Sequence, residues 1–157
     1  IIRGKTASLL ASACAAGAFS ASQNEELTGK MRSFGEKTGM AFQIKDDLFD
    51  YGNEAVGKPT GNDIKEKKLT LPLIYTLNNV NTSVKRKIIY TIKNHNKDKE
   101  KIKEVISIVQ QTGGIEYAQK KMIAFRDEAL AILNEFENAE VKNALEEMVR
   151  FTTDRKL

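Results

Sequence analysis

Apolar side chains recur at intervals of three to four residues along most of this chain, and no stretch alternates strictly with period two. That rhythm predicts helices throughout and an all-α helical bundle. The first helix is expected over about residues 5–21. Ser22-Gln23-Asn24-Glu25 has capping-box spacing, so a second helix should start at Ser22 and continue to about residue 51. It would turn Leu27, Met31, Phe34, Met40, Phe42, Ile44 and Phe49 largely inward. Gly35 and Gly39, one turn apart, predict the close approach of a neighbouring helix. Residues 52–68 form the one long irregular stretch, with Asp63 and Glu66 spaced to cap a short turn inside it. Thr70 should cap a helix reaching about residue 78, with Pro72 in the first turn, where its missing N–H costs little. Four amphipathic helices are expected near 83–95, 98–112, 115–136 and 138–155, with Gly113-Gly114 between the second and third of them.

The polar positions break this rhythm in one place. Residues 42–50 read FQIKDDLFD, so Asp46, Asp47 and Asp50 crowd the end of an otherwise apolar helix. At about 100° per residue, Asp46 and Asp50 share a face and Asp47 lies beside them. Like charges so placed destabilise an isolated helix by about a few tenths of a kcal/mol and raise one another's pKa. A hard divalent cation would compensate, and Mg²⁺ typically takes one or two carboxylates plus substrate phosphates. On spacing alone, a cation site and a solvated acidic face both remain open. An EF-hand is excluded, since the alternating Asx residues and loop glycine are missing.

Composition narrows the class. The 157 residues suit one domain, only Pro59 and Pro72 interrupt helix formation, and the net charge is +4. No Arg-rich or aromatic-interleaved patch points to nucleic acid. The lysine-rich stretch over 85–103 reads as a solvated face. Cys14 is the single cysteine, which excludes a disulfide framework and fits a cytoplasmic, reducing compartment. The uncharged run from residue 6 to residue 24 is too rich in Ser, Ala and Gly to face lipid, so no stable membrane insertion is expected. His95, the one histidine, falls at a predicted helix end and reads as a surface or capping residue.

In chain order the polar signals are Lys5-Thr6, Gln43 with the three aspartates, then Lys58, Asp63 and Lys68. Carboxylates flanked by lysines are what recognition of a metal-bound diphosphate requires. GKTASLL, FQIKDDLFDY and GKPTGNDIKEKKLTLPLIY, in this order, closely resemble the C-terminal half of the trans-isoprenyl diphosphate synthases, the polyprenyl synthetase family. The resemblance runs from Arg3 to Arg155 and is strongest to bacterial long-chain members. It implies the C-terminal portion of the isoprenoid synthase fold over residues 1–157, without the N-terminal half that carries the family's first aspartate-rich motif.

The resemblance also implies a prenyltransferase. Such an enzyme uses Mg²⁺ to condense isopentenyl diphosphate with an allylic diphosphate, as a homodimer at full length. Asp46, Asp47 and Asp50 match its second, metal-binding aspartate motif, with Asp46 the principal ligand. Lys5, Lys58 and Lys68 match lysines on the diphosphate, and Thr6 and Gln43 match positions beside the developing carbocation. Plainer readings stand next to these: a helix-start lysine for Lys5, backbone satisfaction for Thr6 and Gln43, and ordinary loop lysines for Lys58 and Lys68. Where the family usually has Glu-Gly-Lys, this chain has Glu66-Lys67-Lys68, which puts local loop geometry in question. The 157 residues alone are expected to be inactive. The rivals are a non-catalytic helical partner subunit of a prenyl synthase and, more distantly, a terpene cyclase.

Overall fold

The computed structural model describes residues 2–52, 60–137 and 139–154, and every regular element among them is helical. A π-helical turn, Arg3–Ala7, leads into α1, Ser8–Ser22. Then follow α2, Glu25–Phe49, the short α3, Asn62–Lys65, and α4, Leu71–Asn79. The chain continues through α5, Thr82–Asn94, α6, Lys99–Gln111, α7, Gly114–Leu133, and α8, Ala139–Asp154. The expected boundaries lie within a few residues of these, the usual scatter at frayed helix ends.

The cap between α1 and α2 differs from expectation. Gln23 takes the left-handed conformation (φ 52°) and donates its N–H to the Phe19 carbonyl, ending α1. Asn24, and not Ser22, caps α2, its Oδ1 accepting from Leu27 N–H at 3.0 Å. Ser22 instead donates to the Ala18 carbonyl inside α1. Both residue types cap well, so local spacing alone could not choose between them.

The chain forms two compact units. One comprises the residues up to Lys45 together with those from Lys121 onward. Its core is Phe34, Ala129, Leu130, Leu133 and Val149, with Cys14, Met31, Ile132 and Leu145 packed against it. Cys14 is thus a small packing residue, and burial pushes its thiol pKa up, away from reactivity. Gly35 and Gly39 do what their spacing predicts. A Cβ on Gly39 would lie 2.6 Å from Ala7 Cα, and one on Gly35 would lie 2.4 Å from the Leu10 carbonyl oxygen. The backbone of α2 therefore meets the start of α1 with no room for a methyl group.

The other unit spans Asp46–Lys120. Tyr51, Ile64, Leu73, Ile88, Ile92, Ile102, Val105, Ile106 and Val109 make its core. Asn81 and Asp98 cap α5 and α6 through their side chains. The lysine-rich stretch lies on these two helices. Lys87 pairs with Glu104 at the surface while Ile88, Thr91 and Ile92 face the core. His95 is the C-cap residue of α5 and packs beside the Tyr90 ring. Among the described residues no helix is long and apolar enough to cross a membrane.

Candidate functional site

Two neighbourhoods, one in each unit, hold the polar residues singled out by the sequence. In the first, the π turn carries Lys5 and Thr6 at the entrance to α1. Such turns shift a helix's register by one residue and occur disproportionately at functional sites. Gly39 lets Ala7 seat directly on α2, and Gln43 follows one turn after Gly39 on that helix. The result is a hydrogen bond across 37 residues of sequence: the Thr6 hydroxyl donates to Gln43 Oε1 at 2.6 Å. Gln43 is buried, and Lys5 is exposed.

The second neighbourhood begins on the last turns of α2. Asp46 is exposed, whereas Asp47 and Asp50 are buried, 8% and 9% exposed. Asp50 has defined partners for both oxygens. Oδ1 accepts from Asn62 N–H at 2.7 Å and Oδ2 from Asp63 N–H at 2.9 Å, while its backbone carbonyl accepts from Gly61 N–H at 2.9 Å. Burial raises the Asp50 pKa above the ordinary carboxylate value, and the two amide hydrogen bonds partly offset that rise. Gly61 makes the turn possible. Its φ is 77°, and a Cβ there would stand 2.4 Å from Ile102 Cγ2.

α3 was expected to be capped by Asp63 with Glu66, and it is not. Asp63 lies within the helix, no side chain of the turn caps it, and Asp50, twelve residues upstream, receives its first amides. Asp63 instead holds Lys68. The Lys68 N–H donates to the Asp63 carbonyl at 2.8 Å, and Lys68 Nζ lies 3.3 Å from Asp63 Oδ1 and 2.5 Å from Glu66 Oε2. The hydrogen bond to Glu66 is the main cause of a raised Lys68 pKa, so its ammonium stays charged. Lys67, at the place where the family usually has glycine, adopts a left-handed backbone (φ 57°), and its Nζ donates to the Lys93 carbonyl at 3.1 Å. Lys58 lies outside the described residues.

Tyr51 and Lys45 were not singled out by the sequence. The Tyr51 and Thr70 hydroxyls form a buried hydrogen bond of 2.6 Å, so Thr70 occupies the N-cap position of α4 without using its side chain as the cap. Burial pushes the Tyr51 phenol pKa far up, keeping it neutral. Lys45 is only 6% exposed. Helical spacing signals this, since Lys45 falls on the face of buried Ala41 and Leu48.

Among the described residues, no three His, Cys, Asp or Glu side chains converge to hold a metal by themselves. The carboxylates at the end of α2 are oxygen donors of the kind a hard divalent ion would take, one or two at a time, beside water and phosphate oxygens.

Comparison with known proteins accords with this chemistry. A sequence profile described as polyprenyl synthetase matches residues 1–109. A short chain isoprenyl diphosphate synthase from Methanocaldococcus jannaschii is 36% identical over 121 residues, covering 76% of this chain and 36% of the relative. The crystal structure of geranylgeranyl pyrophosphate synthase from Bacteroides thetaiotaomicron superposes with TM-score 0.89 at 36% identity, over 98% of this chain and 51% of that one. A geranylgeranyl pyrophosphate synthase from Corynebacterium glutamicum, complexed with calcium and isoprenyl diphosphate, gives TM-score 0.84 at 33% identity, over 98% of this chain and 48% of that one. The chain thus spans about half, or less, of the length of the proteins it matches. Heptaprenyl diphosphate synthase component 2 of Geobacillus stearothermophilus, a bacterial long-chain relative, is 31% identical over 98% of this chain and 48% of the relative.

Proposed function

Because this chain belongs to the polyprenyl synthetase family, we propose that it carries the diphosphate-binding half of a Mg²⁺-dependent prenyltransferase. The reaction joins isopentenyl diphosphate head-to-tail to an allylic diphosphate. Bound Mg²⁺ supplies charge neutralisation that makes the allylic diphosphate a competent leaving group. Asp46, solvent-facing on α2, is the first ligand, with Asp47 beside it and Asp50 completing the acidic group. Lys5, Lys58 and Lys68 offset the remaining phosphate charge. The Thr6 hydroxyl donates to Gln43, which leaves its oxygen lone pairs to stabilise a developing allylic cation. The cation is attacked by the isopentenyl double bond, and loss of a proton completes the step. No side-chain nucleophile is needed.

One observation carries this reading. The family match spans residues 1–109, which include the end of α2 and the approach to α4, where polar Gln43, Asp47, Asp50 and Thr70 are buried. Three further parts of the proposal have separate support. The share of the relatives' length that the chain spans supports inactivity of these 157 residues alone. Exposed Leu9 and Phe19 on α1 support a homodimer, and the single cysteine supports a cytoplasmic location. The test is isopentenyl transfer by the intact protein with an allylic diphosphate and Mg²⁺. Asp46→Asn should lower turnover by about 100-fold or more, the scale of losing one preorganised electrostatic contact, with the helical signal unchanged. Near-normal turnover in that variant would remove Asp46 from the metal site.

A further inference from the structure

We infer that Asp50 acts as a positioning residue and not as a metal ligand: it clamps the backbone of residues 61–63 and thereby sets Lys68 for diphosphate. The inference rests on the function proposed above and revises the part assigned to one of its three aspartates.

The geometry is that of a built clamp. Three consecutive amides, Gly61, Asn62 and Asp63, all donate to Asp50: the first to its carbonyl, the other two to separate carboxylate oxygens. Hydrogen bonds to an ionised acceptor are about twice as strong as neutral ones, and here both are partly buried, on a buried Asp50. The left-handed Gly61, wedged against Ile102, aligns these amides. From the clamp a continuous path leads outward. Asp63, held at its amide by Asp50, holds Lys68 through both its carbonyl and its carboxylate. The far side of the turn is fastened separately, by Asn96 Nδ2 on the Lys65 carbonyl and by Lys67 Nζ on the Lys93 carbonyl. Asp50 is thus one tie between the end of α2 and the segment that carries Lys68, beside the Tyr51–Thr70 hydrogen bond. Asp46, one turn earlier, is exposed.

Asp50→Asn separates the two roles, because an amide keeps one acceptor oxygen but replaces the other with a group that cannot accept. Hydrogen exchange on the intact protein should show Asn62 and Asp63 amides exchanging at least about tenfold faster, with core amides of α6 unchanged. Unchanged protection at residues 62 and 63 would overturn the clamp. Calorimetry with inorganic pyrophosphate and Mg²⁺ supplies the second reading. Asp50→Asn and Lys68→Met should each weaken pyrophosphate binding about tenfold, and the double variant should be no weaker than either single one. The Mg²⁺ concentration giving half-maximal binding should shift in Asp46→Asn but not in Asp50→Asn. Additive losses, or equal Mg²⁺ shifts in both aspartate variants, would make Asp50 a ligand, overturning this inference while sparing the proposed function. Absence of any Mg²⁺-dependent pyrophosphate binding in the unsubstituted protein would overturn both.

Discussion

Lys67 occupies a backbone conformation that costs an ordinary side chain about 1–2 kcal/mol and a glycine almost nothing. The departure from the family's Glu-Gly-Lys pattern therefore places an ordinary side chain where glycine would be unstrained, with the hydrogen bond from Lys67 Nζ to the Lys93 carbonyl as partial compensation. Lys67→Gly should raise stability by about 0.5–1 kcal/mol in denaturant unfolding, net of that exposed hydrogen bond. A loss of stability would mean that the tether outweighs the strain. Asp50 makes a second prediction at this scale. Its folded pKa is raised, chiefly by burial, above the unfolded value of about 3.9. Its titration therefore favours the fold below the unfolded pKa, and that contribution is lost as pH rises through the folded pKa. In metal-free buffer, the stability difference between the protein and Asp50→Asn should fall as pH rises through this window and then level off. A difference that grows over the same window would contradict the assignment. These details were only partly legible in the sequence. A D-D-x-x-D spacing states which helix face carries the charge, but not that the chain returns twelve residues later to donate two amides to the last aspartate.

Elements were the easiest scale to read, because helix existence follows from periodicity and Gly/Pro punctuation. α5 to α8 fall within a few residues of expectation. The glycine pair of α2 was also legible, as close approach is the common reason for two glycines one turn apart within a helix. Caps were harder. Ser22, Asn24, Asp63 and Thr70 are all good capping residues, and tertiary contacts decided which ones serve: Thr70 went to Tyr51, and α3 was capped from α2. Gly39→Ala should destabilise the protein by about 1–3 kcal/mol, because the added methyl meets Ala7 backbone and neither helix can yield cheaply. Gly29→Ala, with nothing within 4 Å of the new methyl, should instead gain up to about 1 kcal/mol from helix propensity. Thermal unfolding of the pair checks the contrast. Similar shifts in both variants would refute the close approach of α1 and α2.

For the whole molecule, the family was legible from three motifs in order, and the all-α architecture agrees with solved relatives at TM-scores up to 0.89. Of the candidate site, the sequence marked the acidic end of α2 and both members of a Thr–Gln pair that the structure joins by a hydrogen bond. The division of labour proposed for the aspartates was not legible there, because it is argued from burial and from which oxygens accept backbone amides. The central claim is that these carboxylates serve a metal-bound diphosphate. The most direct measurement is a calorimetric titration of the intact protein with an unreactive allylic diphosphate analogue, with and without Mg²⁺. Binding should tighten by about 100-fold or more when Mg²⁺ is present, the effect expected when the ion bridges carboxylate and phosphate, and Asp46→Asn should abolish that gain. Equal affinity in the two buffers, or a gain that survives Asp46→Asn, would contradict the account.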